Sequence, residues 1–136
     1  MKVLAIGIHI DECEEMGGTL NLLAREGAEV TILNIMPYTD CGVRNKDADE
    51  QSMKAAAVLG AKKIILDYKG TKFYRTNEET VSKTEEIISS IEPDILFMMH
   101  PVDNHIDHAE CANTVRDAVF AASVDRIIPP ELHSFD

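Results

Sequence analysis

Two polar runs, far apart in the chain, hold most of the residues able to do chemistry. The first is His9-Ile10-Asp11-Glu12-Cys13-Glu14-Glu15, and the second is His100-Pro101-Val102-Asp103-Asn104-His105-Ile106-Asp107-His108. Together they carry four of the five histidines. A borderline-soft ion such as Zn2+ takes imidazole nitrogen and carboxylate oxygen at about 2.0–2.2 Å, and a catalytic site uses three such ligands and leaves one position open. His9, Glu12 and His108 can supply that set. Water activated there needs a carboxylate to take its proton and a cationic or hydrogen-bonding group facing the oxyanion that forms on an acyl carbon. Asp11 and His105 suit these two roles, and Asp107 is expected to hold the His105 imidazole in one tautomer.

The elements around these runs explain how they meet. Apolar, β-branched segments at Val3–Ile8, Val30–Ile35, Ile64–Leu66 and Ile95–Met99 read as buried strands. Amphipathic segments lie between them. Thr19–Arg25 and Asp49–Leu59 end near Gly27 and Gly60, and a third helix opens on a Thr76/Glu79 capping box and stops at Pro93. A fourth runs from about Ala109 to Ala122, with Cys111, Val115, Ala118, Val119 and Ala122 inward. Strict alternation predicts a Rossmann-like, doubly wound α/β domain over residues 1–136, with a mostly parallel sheet and helices on both faces. In strand order 3-2-1-4 the first and fourth strands are neighbours, and the crevice beyond their carboxyl ends receives both polar runs.

Composition narrows the partners. A net charge of −11 repels a phosphate backbone, so nucleic acid is not expected. There is no apolar run long enough for a membrane span, and the N-terminus leads into Gly-x-His-x-Asp rather than a signal-peptide cleavage site, which predicts a cytoplasmic protein. Cys13, Cys41 and Cys111 are odd in number and widely spaced, so they read as thiols in a reducing compartment rather than a disulfide framework.

Several residues have plainer readings. His100 is expected to bond within its own loop before Pro101, and His133 to be an ordinary polar residue. Glu14 and Glu15 read as a solvated acidic first turn. Met98 and Met99 read as core. Gly17-Gly18 lacks the full Gly-x-Gly-x-x-Gly, which leaves a nucleotide-binding module as the lesser alternative.

Ala5-Ile6-Gly7-Ile8-His9-Ile10-Asp11-Glu12 followed by Gly17-Gly18-Thr19-Leu20 resembles the first signature of the LmbE/PIG-L-like zinc de-N-acetylases, A-H-P-D-D-E then G-G-T-L. His100-Pro101-x-Asp103-x-His105-x-Asp107-His108 is similar to the second, H-P-x-D-x-H-P-D-H. Thr39 to Arg44 and Ala57-Val58-Leu59-Gly60 also sit where the family has its G-x-R loop and a helix ending in Leu-Gly. The resemblance implies amide hydrolysis by activated water. His9, Glu12 and His108 would hold Zn2+, with Fe2+ a second candidate; Asp11 would be the general base, and His105, steadied by Asp107, the oxyanion stabiliser and acid. Arg44 and Asp103 would contact substrate, although Arg44 equally suits a surface role. The implied substrate is a small acetylated amino sugar, of the N-acetylglucosamine type.

The match has departures. Ile10 replaces proline, Glu12 an aspartate ligand and Cys13 a glutamate, and the loop from His9 to Gly17 is one residue short. The extra methylene of Glu12 moves a carboxylate by about 1.5 Å, so Cys13 is an alternative ligand, and a metal-binding but catalytically weak relative with a binding or structural role is an alternative function. The C-terminal part of the usual family fold is missing or short. Either a partner subunit, such as a second copy in a homo-oligomer, completes the pocket, or the chain is a piece of a longer one.

Overall fold

The computed structural model describes residues 1–40, 42–68, 73–124 and 130–135. Cys41 and Pro129 lie outside them. In chain order the elements are β1 (Lys2–Gly7), a 3-10 turn (Glu12–Met16), α1 (Gly17–Arg25), β2 (Glu29–Asn34), β3 (Thr39–Asp40), β4 (Val43–Arg44), α2 (Lys46–Val58), β5 (Ala61–Ile65), α3 (Glu78–Ile91), β6 (Ile95–Met99), α4 (Ile106–Ser123) and β7 (Glu131–Phe135). Five strands form one sheet in the order β5-β2-β1-β6-β7, parallel throughout. The expected 3-2-1-4 arrangement is therefore present, with β7 added beside β6. β3 and β4 make a separate antiparallel pair.

Alternation along the strands splits the core in two. Leu4, Ile6, Leu33, Leu96 and Met98 face α3 and α4. Val3, Ala5, Val30, Ile32 and Ala61 face α1 and α2 through Leu20 and Ala56. Residues two apart on a strand share a face, so an unbroken apolar run serves a sheet covered on both sides. Met98 and Met99 are buried, as expected.

Three boundaries differ from expectation, each for a local reason. α3 is capped by Asn77, whose Oδ1 accepts from the Thr80 amide at 3.1 Å. Thr76 instead donates its hydroxyl to the Glu110 main-chain oxygen at 2.8 Å and to the Glu110 carboxylate at 2.9 Å. β5 begins at Ala61 rather than Ile64, because Lys63 is buried inside it. α4 begins at Ile106 rather than Ala109: His105 is extended (φ −82°, ψ 117°), and its ring accepts from the Asp107 amide at 3.3 Å. His108 consequently stands on the first turn of a helix instead of in a loop.

Candidate metal centre

β1 and β6 are paired neighbours, with Ala5 opposite Phe97 and Ile6 opposite Met98. The two polar runs leave the same end of the sheet side by side. Donor atoms of His9, Glu12 and His108 all lie within 4.8 Å of one another.

Glu12 is the centre of the group. Its Oε1 lies 2.5 Å from His9 Nδ1 and 2.9 Å from His108 Nε2. Its Oε2 accepts from the Ile8 amide at 2.7 Å and the His9 amide at 3.1 Å. Two main-chain donors thus fix one oxygen and leave the other between the imidazoles. The longer side chain is accommodated because Gly7 lies beneath it: a Cβ there would stand 2.9 Å from Glu12 Oε2, 3.1 Å from Cys13 Sγ and 3.2 Å from Asn34 Nδ2.

Each imidazole has a second carboxylate behind it. His9 Nε2 is 3.3 Å from Asp107 Oδ2, and His108 Nδ1 is 2.9 Å from Asp103 Oδ2. A carboxylate on the far nitrogen fixes the tautomer and ring orientation of a ligating histidine. Burial works to lower the His9 pKa, but the hydrogen bonds and charges of Glu12 and then Asp107 outweigh it and hold the ring above its ordinary 6.5. The Asp103 carboxyl is held below its ordinary range, first by the His105 amide and then by His108.

Two expected roles are redistributed. Asp107 does not place its carboxylate on the His105 ring. One oxygen meets His9 and the other accepts from the Tyr74 amide at 2.8 Å, because the start of α4 turns that carboxylate inward. His105 relates to Asp107 through the main chain, and its ring stacks on His108 with centroids 4.4 Å apart. Asp103 faces His108 and the His105 amide rather than open space.

Asp11 is exposed, on a cleft of about 330 Å³ that it lines with His9, Ile10, Met36, Pro37, Tyr38 and Thr39. Arg44 is engaged by Asp49 at 2.5 Å and Asp67 at 3.2 Å, tying β4 to α2. Cys13 is fully buried in the core under α1, where burial and the Glu14 carboxylate push its thiol far up, which opposes the thiolate a metal needs. The donor cluster found among the described residues contains Glu12 and not Cys13. His100 bonds within its own loop, to Val102.

Three residues that sequence reasoning missed support the first run from below. The Asn34 amide donates to the His9 carbonyl, while Ser52 and Lys63 donate to the Ile10 carbonyl. Lys63 also pairs with Glu14, which is therefore half-buried and held by a partner rather than freely solvated, while Glu15 is exposed as expected. The available signal was a lysine within an apolar strand.

The PIG-L model, described as GlcNAc-PI de-N-acetylase, matches residues 4–119. Solved structures with a similar fold include 4-carboxy-2-hydroxymuconate hydratase from Pseudomonas putida (TM-score 0.81, 18% identity, covering 99% of this chain and 62% of that one). A conserved protein from Thermus thermophilus aligns with TM-score 0.81 and 21% identity over 97% of this chain and 63% of that one. N,N'-diacetylchitobiose deacetylase from Pyrococcus horikoshii aligns with TM-score 0.76 and 25% identity over 92% and 51%. The chain spans between 51% and 63% of the length of these three structures. A hydratase and a deacetylase share this architecture, so fold alone does not choose the reaction. The match over residues 4–119 does identify the lineage: this chain belongs to the PIG-L family of GlcNAc-PI de-N-acetylases.

Proposed function

We propose that the chain hydrolyses the N-acetyl group of an amino-sugar-type conjugate, using a zinc-type divalent ion on His9, Glu12 and His108. The observation that carries this reading is the convergence of their donor atoms within 4.8 Å, with a second carboxylate behind each imidazole. Two nitrogens and one oxygen also suit Fe2+. When bound, such an ion supplies Lewis acidity, making water a competent nucleophile at neutral pH and polarising the acyl carbonyl.

The chain's own residues do the rest. Asp11, exposed on the cleft beside His9, takes the proton of the attacking water. His105, whose Nδ1 accepts from the Asp107 amide, donates from Nε2 toward the oxygen that gains charge, and the proton that Asp11 took from water passes on to the leaving amine. Asp107 and Asp103 orient His9 and His108, and Arg44 serves by bracing the loop that borders the cleft rather than by reaching substrate. Free, buried Cys13 and Cys111 suit a reducing cytoplasm. The described helices include none long and apolar enough to cross a membrane.

The nucleotide-module reading has less support. Gly17 is buried, and a Cβ there would stand 3.2 Å from Leu59, so Gly17 serves helix packing, while Gly18 is exposed with open space around it. Metal analysis of protein purified without chelator, followed by acetate release from N-acetylglucosamine conjugates, tests the proposal. His108→Ala is expected to lose both metal and turnover. His105→Ala is expected to keep the metal and lose about 10²–10⁴-fold in rate. Acetate release unchanged by His108→Ala would sink the assignment.

A further inference from the structure

Lys63 belongs to neither polar run, yet its ammonium reaches the first of them from β5, two strands from β1 in the sheet. Its side chain is 1% exposed. Nζ donates to the Ile10 carbonyl at 2.6 Å and to Glu14 Oε1 at 2.5 Å. Ile10 separates His9 from Asp11, and Glu14 lies just past Glu12 in the 3-10 turn. The Ser52 hydroxyl of α2 donates to the same Ile10 carbonyl at 2.7 Å. One buried charge therefore grips the loop on both sides of Glu12.

Core stability does not account for this arrangement, since a buried ion pair is commonly replaced by apolar residues of similar volume without loss. What an ion pair with a carbonyl acceptor provides is a fixed distance and direction, where apolar contacts would let the loop slide. Ser52 shares the Ile10 carbonyl with Lys63, while the remaining anchors act on different groups: Asn34 holds the His9 carbonyl, and the Ile8 and His9 amides hold Glu12. With Lys63 also tying the Ile10 carbonyl and Glu14, the run from His9 to Glu14 is referred to the sheet at both ends.

We infer that Lys63 is a positioning residue of the metal centre, setting the His9–Glu14 loop so that His9 and Glu12 present their donors toward His108. This rests on the metal-centre reading above. It is tested with Lys63→Met combined with Glu14→Leu, which removes the pair without stranding a charge, and with Lys63→Arg, which keeps the charge and changes its reach. The first readout is metal-free: hydrogen exchange at the Ile8 and His9 amides is expected to be about tenfold faster in the double variant, with the middle of α4 unchanged. The second is Zn2+ affinity by competition with a chromophoric chelator, expected to fall about 10–100-fold, as for lost outer-sphere support. Lys63→Arg is expected to show smaller changes in both, and it decides the question should the double variant not fold. Folded variants with unchanged exchange, or with faster exchange and unchanged affinity, overturn the proposal. An unmodified chain that binds no Zn2+ overturns the metal reading instead, and the exchange result alone then decides whether Lys63 positions the loop.

Discussion

At Glu12 the two carboxylate oxygens have separate tasks, one held by main-chain amides and the other lying between His9 and His108. At His9 the two ring nitrogens are likewise divided, Nδ1 to Glu12 and Nε2 to Asp107. The metal-free ring therefore favours its protonated form, with a pKa above 6.5. The stability this gives is present below 6.5 and is lost as pH rises through the raised value. A metal must displace that proton, so affinity is expected to fall as pH drops, beginning above 6.5, with protons released on binding. Calorimetry in two buffers of different ionisation enthalpy measures both. Asp107→Asn removes one of the charges that raise the pKa, so it should move the midpoint to lower pH. It should also weaken binding about 10–100-fold, since the His9 ring loses its orienting partner. A midpoint that stays put would show that Asp107 does not act through His9.

At the scale of elements, the end of β1 and the start of α4 set the geometry. Gly7 closes β1 with no side chain, and the Glu12 carboxylate occupies the space a Cβ would take. Gly7→Ala should therefore displace Glu12 and cost about 1–3 kcal/mol by overpacking. Denaturant unfolding and zinc titration should both register the loss; a variant that binds zinc normally would show that Glu12 does not need that space. α4 contributes differently, since its first turn carries Asp107 and His108 while His105 caps it. Three site residues thus move with one rigid helix, whose inner face of Cys111, Val115 and Ala118 is locked in the core.

Across the whole molecule, Tyr74 joins the segment before α3 to the site. It is fully buried, its hydroxyl meets Thr80 at 2.7 Å and Thr114 at 2.6 Å, and its amide donates to Asp107. Tyr74→Phe removes one partner from each threonine hydroxyl, which keep Asn77 and Thr76 as their others, and should cost about 0.5–1.5 kcal/mol. The amide contact with Asp107 survives the change, so zinc affinity should stay near that of the unmodified chain. A thermal melt and a zinc titration separate these effects, and an unchanged melting temperature would refute the hydroxyl's structural role.

The alternation of apolar strands with amphipathic helices was legible in the sequence, because a strand buried on both faces and a helix buried on one must each write their periodicity into residue types. The doubly wound strand order then made β1 and β6 neighbours, which brought the two histidine-bearing runs together. What only the tertiary structure decided is which carboxylate serves which imidazole, and what holds the loop from beneath. Asp107 turned to His9 because α4 begins three residues earlier than its apolar pattern suggests, a boundary set by the His105 cap. Lys63 lies just before the Ile64–Leu66 run, outside the expected strand, and its burial depends on Glu14 and the Ile10 carbonyl arriving from about fifty residues away. Hydrophobic period is a local property of a chain, whereas a polar side chain's partner is settled by what the packed fold brings within reach of it.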